Sequence, residues 1–137
     1  SIPQAFAEIV ARGPERPAVR FGEAVLTYAD LDQRSSRVAQ FLRERQGVKR
    51  GEAVAVLMPR SAELVQVLLG ILKAGAVYVP IDPDYPEGRI RLLLQDCGAR
   101  ILLERLGAAV AEVPAPDRGV LVDVDTPADL ESLLART

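Results

Sequence analysis

An alternation constrains this chain more than any other feature. Short runs of consecutive apolar residues take turns with stretches in which apolar side chains recur every three or four positions. The clearest run is Ala53-Val54-Ala55-Val56-Leu57-Met58. A strand that is apolar on both sides has to be covered on both faces, which is the situation of a parallel strand inside an α/β sheet. Val77 to Ile81 reads as a second such strand, with Pro80 at its edge or end because proline cannot donate to a ladder. Arg100 to Leu103 and Gly119 to Asp123 read as two more.

Between and before them lie helical patterns. Ile2, Phe6, Ile9 and Val10 predict a helix over residues 2–12, stopped by Gly13 and Pro14. Ala18 to Phe21 and Ala24 to Thr27 predict a hairpin around Gly22-Glu23, with glycine first as a type II′ turn requires. Thr27 is placed to cap the next helix, and Asp30 three residues on supplies a variant of the capping box. That helix turns Leu31, Ser35, Val38, Phe41 and Leu42 inward and closes at Gly47. Ser61 caps a helix over about 62–74, ended by Gly75. Pro86 opens another, with Ile90, Leu93, Leu94 and Cys97 on one face and Gly98 at its end. Residues 104–118, with Pro114 and Pro116, predict a loose loop, and Thr126-Pro127 opens a last helix carrying Leu130, Leu133 and Leu134. Strands alternating with helices predict an α/β fold: a mostly parallel sheet flanked by helices, in one unit spanning residues 1–137.

Composition narrows the chemistry. The chain has no His, which excludes Ser-His-Asp and Cys-His nucleophile schemes and the common zinc sites. A net charge of −2 leaves no basic excess for a nucleic acid backbone, so no nucleic-acid partner is expected. Its single cysteine, Cys97, cannot form an internal disulfide, which fits a cytoplasmic setting. No apolar stretch approaches the roughly 20 residues that cross a bilayer, and the first residues carry no signal-peptide pattern, so no membrane partner is expected. A start at Ser1 suggests an excised or processed piece, and the excess of Arg over Lys suggests a bacterial gene rich in G and C.

Ligands of such sheets bind beyond the carboxyl ends of the strands. Asp82 and Asp84 follow one strand, and Asp123 and Asp125 lie at the end of another. Such pairs could hold Mg²⁺ through oxygens, but turn-shaping and helix-start roles explain them as well. No Gly-x-Gly-x-x-Gly and no Gly-Lys-Ser/Thr is present, so no phosphate cradle is written in the chain. Cys97, on an apolar helix face, reads as a small packed hydrophobe, and Tyr28, Tyr78 and Tyr85 are too dispersed for a stacking platform. No catalytic, cofactor-binding or metal-binding residue is expected.

Two segments carry a resemblance. Leu26-Thr27-Tyr28-Ala29-Asp30-Leu31 resembles the opening Leu-Thr-Tyr-x-Glu-Leu motif of nonribosomal peptide synthetase adenylation domains, with Asp30 in place of Glu. Leu72-Lys73-Ala74-Gly75-Ala76-Val77-Tyr78-Val79-Pro80-Ile81-Asp82-Pro83 is similar to that family's second motif nearly throughout. Tyr85 to Ile90 and Asp96 to Ala99 resemble its continuation, with Cys97 where Ser is common, and the resemblance covers about residues 2–103.

The resemblance implies the N-terminal portion of the large adenylation subdomain of an adenylate-forming ligase. The intact parent would activate an amino acid with Mg-ATP as aminoacyl-AMP and load it onto the phosphopantetheine thiol of a carrier domain. Its partners would be the remainder of the adenylation domain and neighbouring condensation and carrier domains. The family's phosphate loop, ribose-binding Asp, hinge residue, amino-acid pocket and late catalytic Lys have no counterpart in residues 1–137. The segment alone is therefore expected to supply scaffold, bind ATP negligibly and expose apolar surface where the rest would pack. The alternatives are an acyl-CoA synthetase or fatty-acyl-AMP ligase, a non-catalytic or split interaction module, and an unrelated α/β ligand-binding domain.

Overall fold

The structure is a computed structural model that describes residues 1–105, 109–112 and 121–123. Its elements run α1 (Ile2–Arg12), β1 (Pro17–Phe21), β2 (Ala24–Thr27), α2 (Tyr28–Gln40), β3 (Ala53–Val56), α3 (Ala62–Lys73), β4 (Val77–Pro80), α4 (Glu87–Cys97), β5 (Ile101–Arg105), β6 (Ala109–Glu112) and β7 (Leu121–Asp123). β1 and β2 form the expected hairpin, with Phe21 opposite Ala24. Gly22 has φ 61 and no other residue of the turn has positive φ, so the turn is of the type that needs glycine in its first position.

The remaining strands make one sheet in the order β4-β3-β5-β6-β7. β3 pairs in parallel with β4 and with β5, as the alternating pattern requires. The α/β architecture is therefore the one expected. Beyond β5 the pairing changes: β6 is antiparallel to β5, and β7 to β6. β6 lies inside the stretch expected to be a loose loop. The cause is the link: residues 106–108 are too few for a crossover, and a connection that short can only return the chain antiparallel. The expected helix from Thr126 lies outside the described residues.

Strand alternation splits the core between the two faces of the sheet. Val54, Val56, Ile101 and Leu103 point to one face, where they meet Val38, Phe41 and Leu42 together with Val67 and Ile71 of α3. Ala55 and Leu102 point to the other, under Leu94, Ile90, Leu93 and Cys97 of α4. The end of α2 differs from expectation. Instead of continuing as a regular helix to Gly47, the chain makes a wider π-type turn over Phe41–Arg45. The Gln46 N–H donates to the Phe41 carbonyl at 3.2 Å, and Phe41 and Leu42 stay 2% and 0% exposed.

Candidate functional site

Both signature segments sit at junctions. In the first, Leu26 and Leu31 are buried and the residues between them start α2. Thr27 Oγ1 accepts from the Asp30 N–H at 3.0 Å, and Asp30 Oδ2 accepts from the Thr27 N–H at 3.1 Å. This reciprocal box satisfies two amide groups that a helix start otherwise leaves without partners. The Thr27 backbone N–H, then its hydroxyl, hold the Asp30 carboxyl below its ordinary range. The Tyr28 ring lies 6.2 Å from that of Phe6 in α1, and the Arg16 guanidinium is 5.7 Å from its centroid.

In the second segment, Lys73 ends α3 and reaches back to α2. Its ammonium donates to Asp32 Oδ1 at 2.7 Å, to the Asp32 carbonyl at 3.0 Å and to Ser36 Oγ at 2.9 Å. It also lies 5.3 Å from the Phe6 ring centroid. An ammonium has three protons to donate, and here all are engaged. Next, Gly75 takes φ 77 and closes the helix: its N–H donates to the Leu72 carbonyl at 3.0 Å and the Ala76 N–H to the Ile71 carbonyl at 3.1 Å. That is the paired closure a left-handed glycine permits. Leu72 is half-buried, Ala74 and Ala76 are buried, and Val77 and Tyr78 are exposed on β4. Pro80 is the last residue of β4, and β4 is a sheet edge, where a missing donor does least harm.

The two segments, some forty residues apart in sequence, therefore meet. Tyr28 of the first touches Phe6, and Phe6 lies against Lys73 of the second, which binds Asp32 one residue past the first.

The acidic pairs do not meet. Asp82 Oδ1 accepts from the Asp84 N–H at 2.9 Å, and the Tyr85 N–H donates to the Asp82 carbonyl at 3.1 Å, so this pair builds the turn into α4 together with Pro83. Asp123 ends β7, at the opposite edge of the sheet from β4. Four strand spacings of about 4.8 Å separate those edges by roughly 19 Å, far beyond the reach of one cation. Asp125 lies outside the described residues. Among the described residues no group of three His, Cys, Asp or Glu side chains could hold a metal ion. The Lys73 ammonium already has three acceptors, and the Asp82 carboxylate is tied into its turn. Cys97 is half-buried against the core under α4, its Sγ 3.4 Å from the Leu94 carbonyl. Tyr85 packs on the same core with the Arg89 guanidinium 4.2 Å from its ring centroid.

Three features were not anticipated from the sequence. A Cβ on Gly70 would fall 2.5 Å from Val38 Cβ and 2.9 Å from the Ser35 carbonyl, so α2 and α3 approach through a glycine. A lone glycine inside an apolar helix was the available signal. Arg100 donates to Glu52 Oε1 at 2.6 Å and to the Gln46 carbonyl at 2.6 Å, a contact across 48 residues with no local signature. Burial raises the Glu52 pKa, but the Lys49 N–H and then Arg100 outweigh it and leave the carboxyl below its ordinary range. Gln66 is 1% exposed, and its Oε1 has no hydrogen-bond partner among the described residues.

Comparison with known proteins gives the family. Residues 6–137 match the family model described as AMP-binding enzyme. The chain is 47% identical over 103 residues to bacitracin synthase 3 of Bacillus licheniformis, across 75% of this chain and 2% of that protein. It is 40% identical over 125 residues to surfactin synthase subunit 1 of Bacillus subtilis (strain 168), across 91% of this chain and 3% of that one. Among solved structures, the N-terminal subdomain of NpsA from Klebsiella oxytoca superposes with a TM-score of 0.76 at 31% identity, over 99% of this chain and 32% of that one. The chain thus spans a small fraction of each curated relative. No helix among the described residues is long and apolar enough to cross a membrane. The protein belongs to the AMP-binding enzyme family, and its residues form the N-terminal part of an adenylation domain of the nonribosomal peptide synthetase type.

Proposed function

We propose that these residues are one α/β unit of the framework of an adenylation domain whose complete protein activates an amino acid with Mg-ATP and passes it to a carrier-domain phosphopantetheine. The observation that carries the framework reading is the engagement of the motif side chains. Leu26 and Leu31 fill the core, Thr27 and Asp30 cap one helix, Tyr28 packs on Phe6, and Gly75 closes another helix. Lys73, the one cation of the two segments, spends all three protons on α2. Leu72, Ala74, Tyr78, Pro80, Asp82 and Pro83 complete the helix-to-strand-to-turn path, in which the Asp82 carboxylate accepts from the Asp84 N–H.

The names of similar proteins support the activity reading. The NpsA subdomain was solved with 3-hydroxyanthranilyl-AMSN, the FmoA3 synthetase with AMPPNP, and NpsA also as an adenylation–PCP di-domain fused to ThdA. The proposed partners follow from that reading: the remainder of the adenylation domain, then carrier and condensation domains, in a cytoplasmic assembly. The test is amino-acid-dependent ATP–pyrophosphate exchange, run on the full-length native protein and on residues 1–137 alone. Exchange with the full-length protein and none with the short chain is expected. Exchange by the short chain would overturn the framework reading, and acylation of coenzyme A by the full-length protein would move it to the acyl-CoA synthetases.

A further inference from the structure

The helix α1 is held to the rest of the unit at one point. Of its residues only Phe6 is buried, and Phe6 belongs to neither of the two core clusters. Pro3 and Val10, about a turn away on either side, are half-buried, and the remaining positions of the helix are exposed. Among the described residues no hydrogen bond or ion pair joins α1 to α2, α3 or the hairpin. The helix instead closes both of its ends from within. Ser1 and Gln4 form its capping box, and the Gly13 N–H donates to the Ile9 and Val10 carbonyls.

What holds α1 down is a ring set on a ring and a cation. The Phe6 ring lies 6.2 Å from that of Tyr28 and 5.3 Å from the Lys73 ammonium. That ammonium keeps its three acceptors on Asp32 and Ser36 whether or not the ring covers it. Lifting α1 therefore breaks no hydrogen bond to its neighbours. The link that follows the helix is fixed by contrast. The Pro14 carbonyl accepts from the Ala29 N–H at 2.8 Å and the Arg16 carbonyl from the Tyr28 N–H at 3.0 Å, which ties this stretch to the start of α2. Gly13 stands between the lightly held helix and the tied stretch, where rotation about one residue swings the helix as a whole.

We propose that α1 is a strap hinged at Gly13, which lifts Phe6 off Tyr28 and Lys73 while α2, α3 and the sheet stay folded. Tyr28 belongs to the first signature segment and Lys73 to the second. The docked strap covers both, and the lifted strap uncovers both at once. A segment with so little buried apolar surface lies at the low end of local opening energies. A helix of 11 residues is also marginal in water by itself, so release of Phe6 frees the amides of the whole helix.

The test is native-state hydrogen exchange on the full-length native protein, read residue by residue and corrected for intrinsic amide rates. The amides from Phe6 to Arg12 should share one rate, at least about 100-fold faster than those of Val67 and Ile71 in α3. Urea below the unfolding transition should leave the α1 rate flat and raise the α3 rate, because lifting the strap exposes little surface. Phe6→Ala should speed α1 exchange at least about 10-fold more and leave α3 unchanged. Rates graded from the helix ends inward would show fraying and overturn the proposal. So would α1 exchange at the α3 rate with the same urea dependence, or Phe6→Ala accelerating both helices equally. If Phe6→Ala fails to fold, the urea series on the parent protein carries the test alone.

Discussion

The seam between α2 and α3 and the border at β4 share one helix but are finished differently. At the seam, Gly70 lets the helices close to contact and Lys73 finds three acceptors, while Ile71 in the adjoining core is 0% exposed. At the border the same helix carries the half-buried Val65 and Leu72, and Val77, Tyr78 and Pro80 of β4 are exposed. The difference separates two kinds of completeness. The seam is satisfied by what these residues supply, so its substitutions should be felt in this chain. The border leaves Val77 and Tyr78 exposed, so its substitutions should be quiet in residues 1–137.

The largest expected effect is in the core beside the seam. Ile71→Ala removes a fully enclosed side chain and should cost about 2–5 kcal/mol, seen as a lower urea midpoint with an unchanged slope. A loss below about 1 kcal/mol would mean that core is loosely packed and the contrast false. Gly70→Ala comes next. It gains up to about 1 kcal/mol of helix propensity but forces a Cβ to 2.5 Å from Val38, and overpacking of about 1–3 kcal/mol should win. Stabilisation in the same titration would show that the helices can part at no cost.

Glu52→Gln tests the other long-range tie. Its carboxylate accepts from Arg100 and the Lys49 amide, and its pKa is lowered from 4.5. The stability it adds is therefore present above the unfolded value and lost as pH falls through the folded one. The pair is partly solvated, so the substitution should cost only about 1 kcal/mol near neutrality. The gap to the parent chain should close below pH 4.5, and a gap that stays constant with pH would remove the ionic contribution. The smallest effect is at the border. Tyr78→Thr replaces one residue that suits strands by another on an exposed strand and should change the stability of residues 1–137 by no more than about 0.5 kcal/mol. A larger loss would mean the border is already packed within this chain.

Much of this was legible beforehand because it is local. The Thr27–Asp30 box, the Gly22 turn, the Gly75 closure and the buried Ala53–Val56 strand each depend on residues within a few positions of one another. The α2 terminus was misread because a π-type turn and a regular one share the same apolar spacing over a few residues. β6 was missed because Ala109 to Glu112 carries little β-branched character, although the three-residue link before it does signal an antiparallel return. For the candidate site, the sequence marked both segments but could not show that Phe6 and Asp32 link them.

From the sequence alone came the fold class, the helix and strand junctions and the resemblance to adenylation domains, since periodicity, capping and turn chemistry act between near neighbours. Tertiary structure decided what joins distant residues. It put Lys73 on Asp32, Arg100 on Glu52 and Val38 against Gly70, and it set Asp82 and Asp123 at opposite edges of the sheet. The physical reason is that one side chain's neighbours across a packed core are chosen by strand order and helix approach, which no short window of sequence contains.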